Sequence, residues 1–530
     1  MGEAWDYFRM FVEYPFALRR FLKERLTVDK AQAIVRERMA QRDEHFLQCV
    51  ERTIYRYPPS PYLALLKRAG CDLGDLRALV KQRGLENALC ELREEGVYIG
   101  FEELKGRKPI VRNGLELDTN AHSFDNPFTS RHFSLPSSGS TGRAVTVGVN
   151  LENIGARMPD HLLLRKAQGL LGMPTIFWFG ILPDFTSSTL IGNEYINSRP
   201  RMWFSQIGWR DSKRWLKYDV AQLYILLGLQ MMGAQVPFPR IVRVDEALVI
   251  AQELVKMVRT EGRCHLHTHI SRGLRVAIAA REAGLDLKGV TIHGGGEPIT
   301  AAKVRAIKES GARFWGSYST TETDGMLGAA CINGVDPSDV HLLKDMFALV
   351  TFPHEVEGFD LRVPAFHVTS LLPTAPKVLL NAQLDDYGIV EERECGCELA
   401  SYGFTTHLHK ISSYSKLTGE GVTLIGTELV RVLEEVLPTR FGGGPLDYQI
   451  AEEEEAGGLT RLSLIIHPRV KIQDERAVIA CVLTELRNSS AMADAAQVTW
   501  RDADTLRIVR KEPIWTGRGK FMPLHLARTE

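Results

Sequence analysis

Val290-Thr291-Ile292-His293-Gly294-Gly295-Gly296-Glu297-Pro298-Ile299-Thr300 is the stretch on which the reading of this chain turns. Its β-branched start predicts a buried strand, and three successive glycines force the backbone to turn where that strand ends. Thr300 then stands as the N-cap of a helix over residues 301–310. In an α/β sheet this carboxyl end of a strand is where nucleotides commonly bind. Some eighteen residues on, Tyr318-Ser319-Thr320-Thr321-Glu322 follows Phe314 and Trp315. An aromatic ring, hydroxyls and a carboxylate at one strand end suit a base, a phosphate and Mg2+. Upstream, Ser137-Ser138-Gly139-Ser140-Thr141-Gly142 precedes a strand over residues 145–149. Glycines there let backbone N–H groups approach an anion, and the hydroxyls add donors. No lysine follows the last glycine, so this is not a P-loop, and an ordinary flexible turn is the plain alternative.

Outward from these motifs, apolar strands over 175–179 and 290–293 alternate with helices such as 272–283. That alternation predicts an α/β body with substantial parallel sheet. Residues 5–56 have helical spacing interrupted at Pro15, and the aromatic stripe Phe8, Phe11, Tyr14, Phe16 is expected to pack on the body of the protein. Beyond about residue 412 the pattern becomes strand 422–425, helix 428–437, glycine turn 442–444, strands 448–451 and 462–466, helix 475–486 and a strand near Val498. The expected layout is a helical segment 1–57, a large domain 58–412 with mixed sheets and helices, and a small α+β domain 413–530.

The 530 residues exceed one ordinary core, and 44% apolar against 25% charged is the balance of a soluble globular protein. Lys plus Arg and Asp plus Glu both number 65, so no global field draws the chain to nucleic acid. No apolar run is long enough to cross a bilayer and no signal pattern opens the chain, which makes the cytoplasm the expected location. Eight cysteines are too few for a disulfide scaffold, and Cys49, Cys90 and Cys481 read as core thiols. Cys395-Gly396-Cys397 differs, lying in a polar stretch. With Cys331 and His341 it makes a Cys3His set suited to structural zinc, the alternative being a buried thiol and a surface histidine. His265, His267 and His269 alternate along one strand and are expected to be core or surface residues rather than ligands.

Taken in order, the three motifs resemble the adenylate-forming superfamily of acyl-CoA synthetases, luciferases and nonribosomal adenylation domains. The likeness is to its phenylacetate-CoA ligase branch, where the Ser/Gly/Thr loop lacks the usual lysine, as at Val145, and the next motif reads Gly-Glu-Pro, as at Gly296-Glu297-Pro298. Ser60-Pro61-Tyr62, Ala69-Gly70 and Phe101-Glu102-Glu103-Leu104 also look like that branch, so the resemblance runs from about residue 55 to the end. It implies a large adenylate-forming domain with a small mobile C-terminal lid. It implies phosphate contacts from residues 137–142, and places Tyr318 beside adenine next to Gly295, Gly296, Glu297 and Pro298. Ser319 and Thr320 belong to the same site, with Thr321 on the α-phosphate and Glu322 on Mg2+. Asp386 falls where the ribose is gripped, with Asp385 as the neighbouring alternative. Lys520, in Thr516-Gly517-Arg518-Gly519-Lys520, falls where a lysine stabilises the pentavalent phosphate. His269, Trp178 and Phe179 fall near the acyl pocket, aromatic residues in such a strand being otherwise plain core. The branch often carries a zinc with ligands spaced as Cys331, His341, Cys395 and Cys397 are.

The activity so implied joins a carboxylic acid to AMP from ATP and Mg2+, and then transfers the acyl group to a thiol, coenzyme A first. An apolar acid, aromatic or fatty, is favoured by the branch. The hinge departs from the family, reading Lys416-Leu417-Thr418-Gly419-Glu420 without the usual aspartates. An acyl-carrier protein or an amine is therefore an alternative acceptor, and an adenylation-only enzyme or a catalytically silent ligand-binding homologue are the alternative functions. Intact Lys520 and Glu322 argue against the silent one. A homodimer is the base-rate expectation.

Overall fold

The computed structural model describes residues 2–120, 122–129, 133–136, 146–149, 151–181, 186–206, 215–296, 299–355, 362–413, 418–419, 422–423, 426–454, 460–487, 506–515 and 519–526. Its framework is a twelve-stranded sheet of two halves. In one half Pro239–Ile241, Pro200–Ser205, Thr175–Trp178, Cys264–His269, Val290–Gly295 and Arg313–Thr320 lie side by side, all parallel. In the other, Gly325–Ala330, Val340–Leu342, Thr406–Ser413, Ala382–Glu392, Arg362–Ser370 and Phe347–Glu355 follow, all antiparallel. The strand Arg313–Thr320 joins the halves, parallel to Val290–Gly295 and antiparallel to Gly325–Ala330. The mixed α/β class is as the sequence predicts.

Local sequence accounts for the parallel half. Thr175–Trp178 is buried at every position, as a strand covered by helices on both faces must be. Helix Ile270–Glu282 buries Ile270, Gly273, Leu274 and Ala277 at helical spacing, and helix Ala301–Lys308 is capped by the Thr300 hydroxyl, which accepts from Lys303 N. Among the parallel strands the chain runs outward from Thr175–Trp178, then returns to its other side at Cys264–His269. This is the topological switch point, where carboxyl ends open a crevice.

Two sequence expectations change. Helix Gly2–Phe21 continues through Pro15 instead of breaking there, the ring costing one backbone bond while Tyr14, Leu18 and Leu22 still reach the core. Phe16 is 75% exposed, so the aromatic stripe does not wholly pack inward; the side chains of Phe8 and Phe11 lie outside the described residues. Helices Val28–Ala40 and Arg42–Val50 bury Ala31, Val35 and Phe46 in the same core as Leu327 and Leu342 of the sheet.

Near the C-terminus a four-stranded sheet runs Leu506–Arg510, Thr460–Ile466, Tyr448–Glu454, Leu524–Leu526. The central pair, expected as strands 448–451 and 462–466, is antiparallel, and the outer two strands are parallel additions the sequence reading missed. The strand expected near Val498 falls outside the described residues. A separate core of Leu433, Tyr448, Leu464 and Val482 backs this sheet.

Behind the parallel strands lies a row of histidines, His265 and His293 buried and His161 and His267 half-buried. The His267 and His293 rings stack with centroids 4.1 Å apart, His265 stacks on both, and His161 lies beside them. For His265 and His267 the sequence reading expects core or surface placement; His161 and His293 are not singled out by it. Burial and the nearby Arg165 guanidinium keep them neutral: His161 and His267 are pushed down to about 3, and His265 and His293 well below the usual imidazole range. Folded values below the unfolded one mean stability that is complete above pH 6.5 and lost as pH falls toward 3. Each such group contributes a slope of up to ~1.4 kcal/mol per pH unit. Asp160, raised by burial and by Asp345, and Asp345 and Asp324, raised by burial, oppose this, but these carboxyls do not offset the imidazoles. Urea midpoints followed by tryptophan fluorescence should fall steeply from pH 6.5 to 5; a flat profile would contradict the neutral histidine row.

Candidate active site

At the carboxyl ends of the parallel strands the glycine loop leaves a floor without side chains. A Cβ on Gly295 would meet Ser317 Oγ at 2.7 Å, and one on Gly296 (φ +75°) would lie 3.0 Å from His269 Nδ1 and 3.2 Å from Lys520 Nζ. Gly296 is thus required twice, for its left-handed backbone and for the approach of the lysine. His269 caps the next strand with its Nδ1 3.3 Å from the Gly295 carbonyl.

Lys520 reaches this floor from the C-terminal unit, its Nζ donating to the Gly296 carbonyl at 3.0 Å. Three anchors hold the segment that bears it. Gln449, fully buried, donates to the Ile514 and Met522 carbonyls, both at 2.8 Å, and so ties the two sides of the loop. Phe521 N donates to Ser271 Oγ at 3.2 Å. Arg272, itself fully buried, donates to the Gly519 carbonyl at 3.1 Å and to the Trp178 carbonyl at 2.8 Å, bridging loop and sheet at the switch point. Gly519 (φ +68°) has no room for a Cβ beside that guanidinium. Nothing in the sequence singled out Arg272, which looks like any arginine on an amphipathic helix.

On the other side of the glycine floor, the Tyr318 hydroxyl donates to Asp386 Oδ2 at 2.8 Å. Burial and that carboxylate push the phenol well above its usual range. Asp385 alternates to the opposite side of its strand and is buried against Ser413 Oγ at 3.1 Å, so Asp386 is the one that meets the tyrosine. Beyond Tyr318, Thr320 Oγ1 bonds Thr323, and the Thr321 carbonyl accepts from Asp324 N, closing the turn in which Glu322 sits. Asp324 holds φ 55°, fixed by Asn153 at 2.7 Å and by Arg157. Ser319 is exposed on this rim.

Glu322 is ion-paired to Lys105, with both side chains mostly buried. Lys105 ends the short helix Phe101–Leu104, and its approach is fixed because Ile99 pairs with the strand carrying Asp386: Ile99 N donates to Asn381 O, and Gln383 N to Ile99 O at 2.8 Å. Sequence reasoning missed this lysine, which lies 217 residues from its partner. Ser137, Ser138, Gly139, Ser140, Thr141, Gly142, Glu297, Pro298 and Lys416 lie outside the described residues. Phe179 packs on His269 with ring centroids 5.2 Å apart, whereas Trp178 turns to the other sheet face, where its indole donates to the Val242 carbonyl at 3.3 Å. Those two therefore do not share a pocket wall.

A second cluster lies in the antiparallel half. His341 Nε2 is 3.2 Å from Cys397 Sγ and 3.8 Å from Cys395 Sγ, while its Nδ1 donates to the Phe404 carbonyl at 2.7 Å. The ligand atoms of Cys331, His341, Cys395 and His407 all fall within 4.8 Å of one another. Zinc bonds to sulfur and nitrogen put tetrahedral ligands roughly 3.3–3.8 Å apart, which this cluster approaches. His407, missed from sequence, is buried, with Nε2 unpartnered and Nδ1 2.8 Å from Asp339. A carbonyl behind one imidazole and a carboxylate behind the other are the outer contacts that metal-ligating histidines use. The donor set thus fits zinc, with five candidates for four positions.

No protein-family model and no curated protein matches this chain. Solved structures that match it include CoA ligases and a CoA synthetase. They include a 2-hydroxyisobutyryl-CoA ligase in complex with 2-HIB-AMP and CoA, at 15% identity and a TM-score of 0.43, over 92% of this chain and 90% of that one. The anthranilate CoA ligase AuaEII in complex with anthranoyl-AMP gives 14% and 0.43, over 73% and 65%. Acetoacetyl-CoA synthetase from Streptomyces lividans gives 13% and 0.43, over 82% and 62%.

Proposed function

We propose that this chain activates a carboxylic acid with ATP and passes the acyl group to a thiol. The observation that carries this reading is Lys520 docked on the Gly296 carbonyl, across the glycine floor from the Tyr318–Asp386 pair and Glu322. A compact cation, a ribose-binding carboxylate under an aromatic ring, and a metal-binding carboxylate are what adenylation requires in one crevice. A carboxylate oxygen of the acid attacks the α-phosphorus, the bond to the bridging oxygen breaks, and pyrophosphate leaves. Lys520 faces the charge that grows on the α-phosphate oxygens, and Glu322 would hold a Mg2+ whose charge offsets that of the phosphates. Attack of a thiol on the acyl carbon then expels AMP and leaves the thiol proton to solvent. Coenzyme A is the proposed acceptor, with a carrier-protein thiol as the second reading, favoured by the departure at Lys416–Glu420.

Lys105 is proposed to supply the phosphate cation that the Ser/Gly/Thr loop lacks, being released from Glu322 when Mg-ATP arrives. Lys105→Ala should raise the KM for ATP about tenfold, the scale of a charge-assisted phosphate contact. An unchanged KM in ATP-dependent exchange would leave Lys105 as a structural ion pair. Zinc is proposed to tie Cys331 and Cys395 to His341, with Cys397 or His407 as fourth ligand, in a purely structural role.

The reading is tested by ATP–pyrophosphate exchange against a panel of aromatic and aliphatic acids, with and without coenzyme A. Exchange dependent on one acid establishes adenylation, and an acyl-CoA product settles the acceptor. Absence of exchange with every acid would overturn it.

A further inference from the structure

A buried ion pair joins the C-terminal unit to the large sheet away from Lys520. Helix Ala301–Lys308 starts directly after the glycine loop, and its Lys303 side chain is fully buried. Opposite it, the helical run from Gly426 to Phe441 is interrupted by a π-turn over Val432–Val436, and inside that turn stands Glu434, equally buried. Lys303 Nζ lies 2.9 Å from Glu434 Oε1, and the Thr300 hydroxyl donates to Oε2. A π-turn widens the helix by one residue and is frequent at functional positions. Here it marks the residue that crosses between the two units. A second ion pair across the junction, Arg469 to Glu282, is exposed.

We propose that Thr300, Lys303 and Glu434 form a latch that selects the arrangement in which Lys520 is docked on the glycine floor. Its significance for adenylation rests on the function proposed above, but the arrangement it selects does not. The energetics suit a switch rather than a permanent clamp. Two buried charges gain by pairing roughly what they lose in hydration, so separating both into water is nearly neutral, whereas removing one partner takes away the opposite charge that offsets the other's desolvation. That desolvation persists only while the units are docked. Single substitutions should therefore move the docking equilibrium by about 10²–10³-fold toward the open side. Replacing both partners by apolar residues should restore docking, because neither desolvated charge remains.

Hydrogen exchange of the full-length chain without ligands, read with the rate of tryptic cleavage after Lys520, tests this independently of any acid substrate. Phe521 is fully buried and its amide is held by Ser271, so both signals report the docked segment. In E434Q and in K303M the amides of residues 519–526 should exchange at least tenfold faster and cleavage should accelerate, with exchange in residues 347–413 unchanged. K303M/E434L should return both signals to the wild-type level. Unchanged signals in the single variants, acceleration spread over residues 347–413, or failure of the double variant to recover would each overturn the latch. Failure of the acid panel would refute the proposed function and leave this result standing.

Discussion

Lys520→Ala should lower acid-dependent ATP–pyrophosphate exchange by about 10²–10³-fold, the effect of removing one charge-stabilising donor from a reacting centre. The side chain meets the glycine floor through its ammonium, while its segment is held independently by Gln449, Arg272 and Ser271 acting on backbone atoms. The substitution should therefore leave the thermal midpoint and the tryptophan spectrum unchanged. Lys520→Arg is the sharper variant. Its planar fork cannot reproduce the single compact ammonium that reaches the Gly296 carbonyl, so it should recover little of the rate. Wild-type exchange in Lys520→Ala would remove the lysine from the chemistry.

Metal removal should act on stability instead. Coordination would displace the protons of thiols that burial otherwise holds protonated and would gather the resulting thiolates on one cation, Cys331 and Cys397 both being raised. The cluster ties the strand ends at Cys331 and His341 to the loop of Cys395 and Cys397. At ~2–4 °C per kcal/mol in a mid-sized domain, losing a few kcal/mol lowers the thermal midpoint by about 5–10 °C. Elemental analysis should give one zinc per chain, and a strong chelator should produce that drop. Cys397→Ser and His407→Ala, compared for zinc content, identify the fourth ligand. A chain purified from zinc-replete medium without zinc, and indifferent to chelator, would dismiss the metal.

Legibility in the sequence followed the range of the interactions. Strand Val290–Gly295, its turn and the Thr300 cap are local, set by neighbours within a few residues, and are found where expected. Tyr318 with Asp386, and the Cys/His cluster, came from motif order and are brought together by strands that only the fold makes adjacent. Lys105, Arg272 and His407 were not legible. Each acts through a partner 68 to 247 residues away, and nothing in its own neighbourhood distinguishes it from a surface or core residue. The small sheet was half legible: its hairpin shows in alternation, but Leu506–Arg510 and Leu524–Leu526 are short strands that join by parallel pairing. Helix Gly2–Phe21 was misread at Pro15 because packing of its buried stripe outweighs one lost backbone bond.

The first helices carry a consequence for biosynthesis. Arg42 in Arg42–Val50 bonds the Lys344 carbonyl at 2.6 Å, a partner 302 residues later in the chain. At 5–20 residues per second, roughly 15–60 s pass between the emergence of one and of the other from the ribosome. Through that interval Val35, Phe46 and Val50 can pack only on earlier segments such as Ile54, Leu76 and Leu162, while the side that meets Leu327 and Leu342 stays open, an apolar face exposed during synthesis.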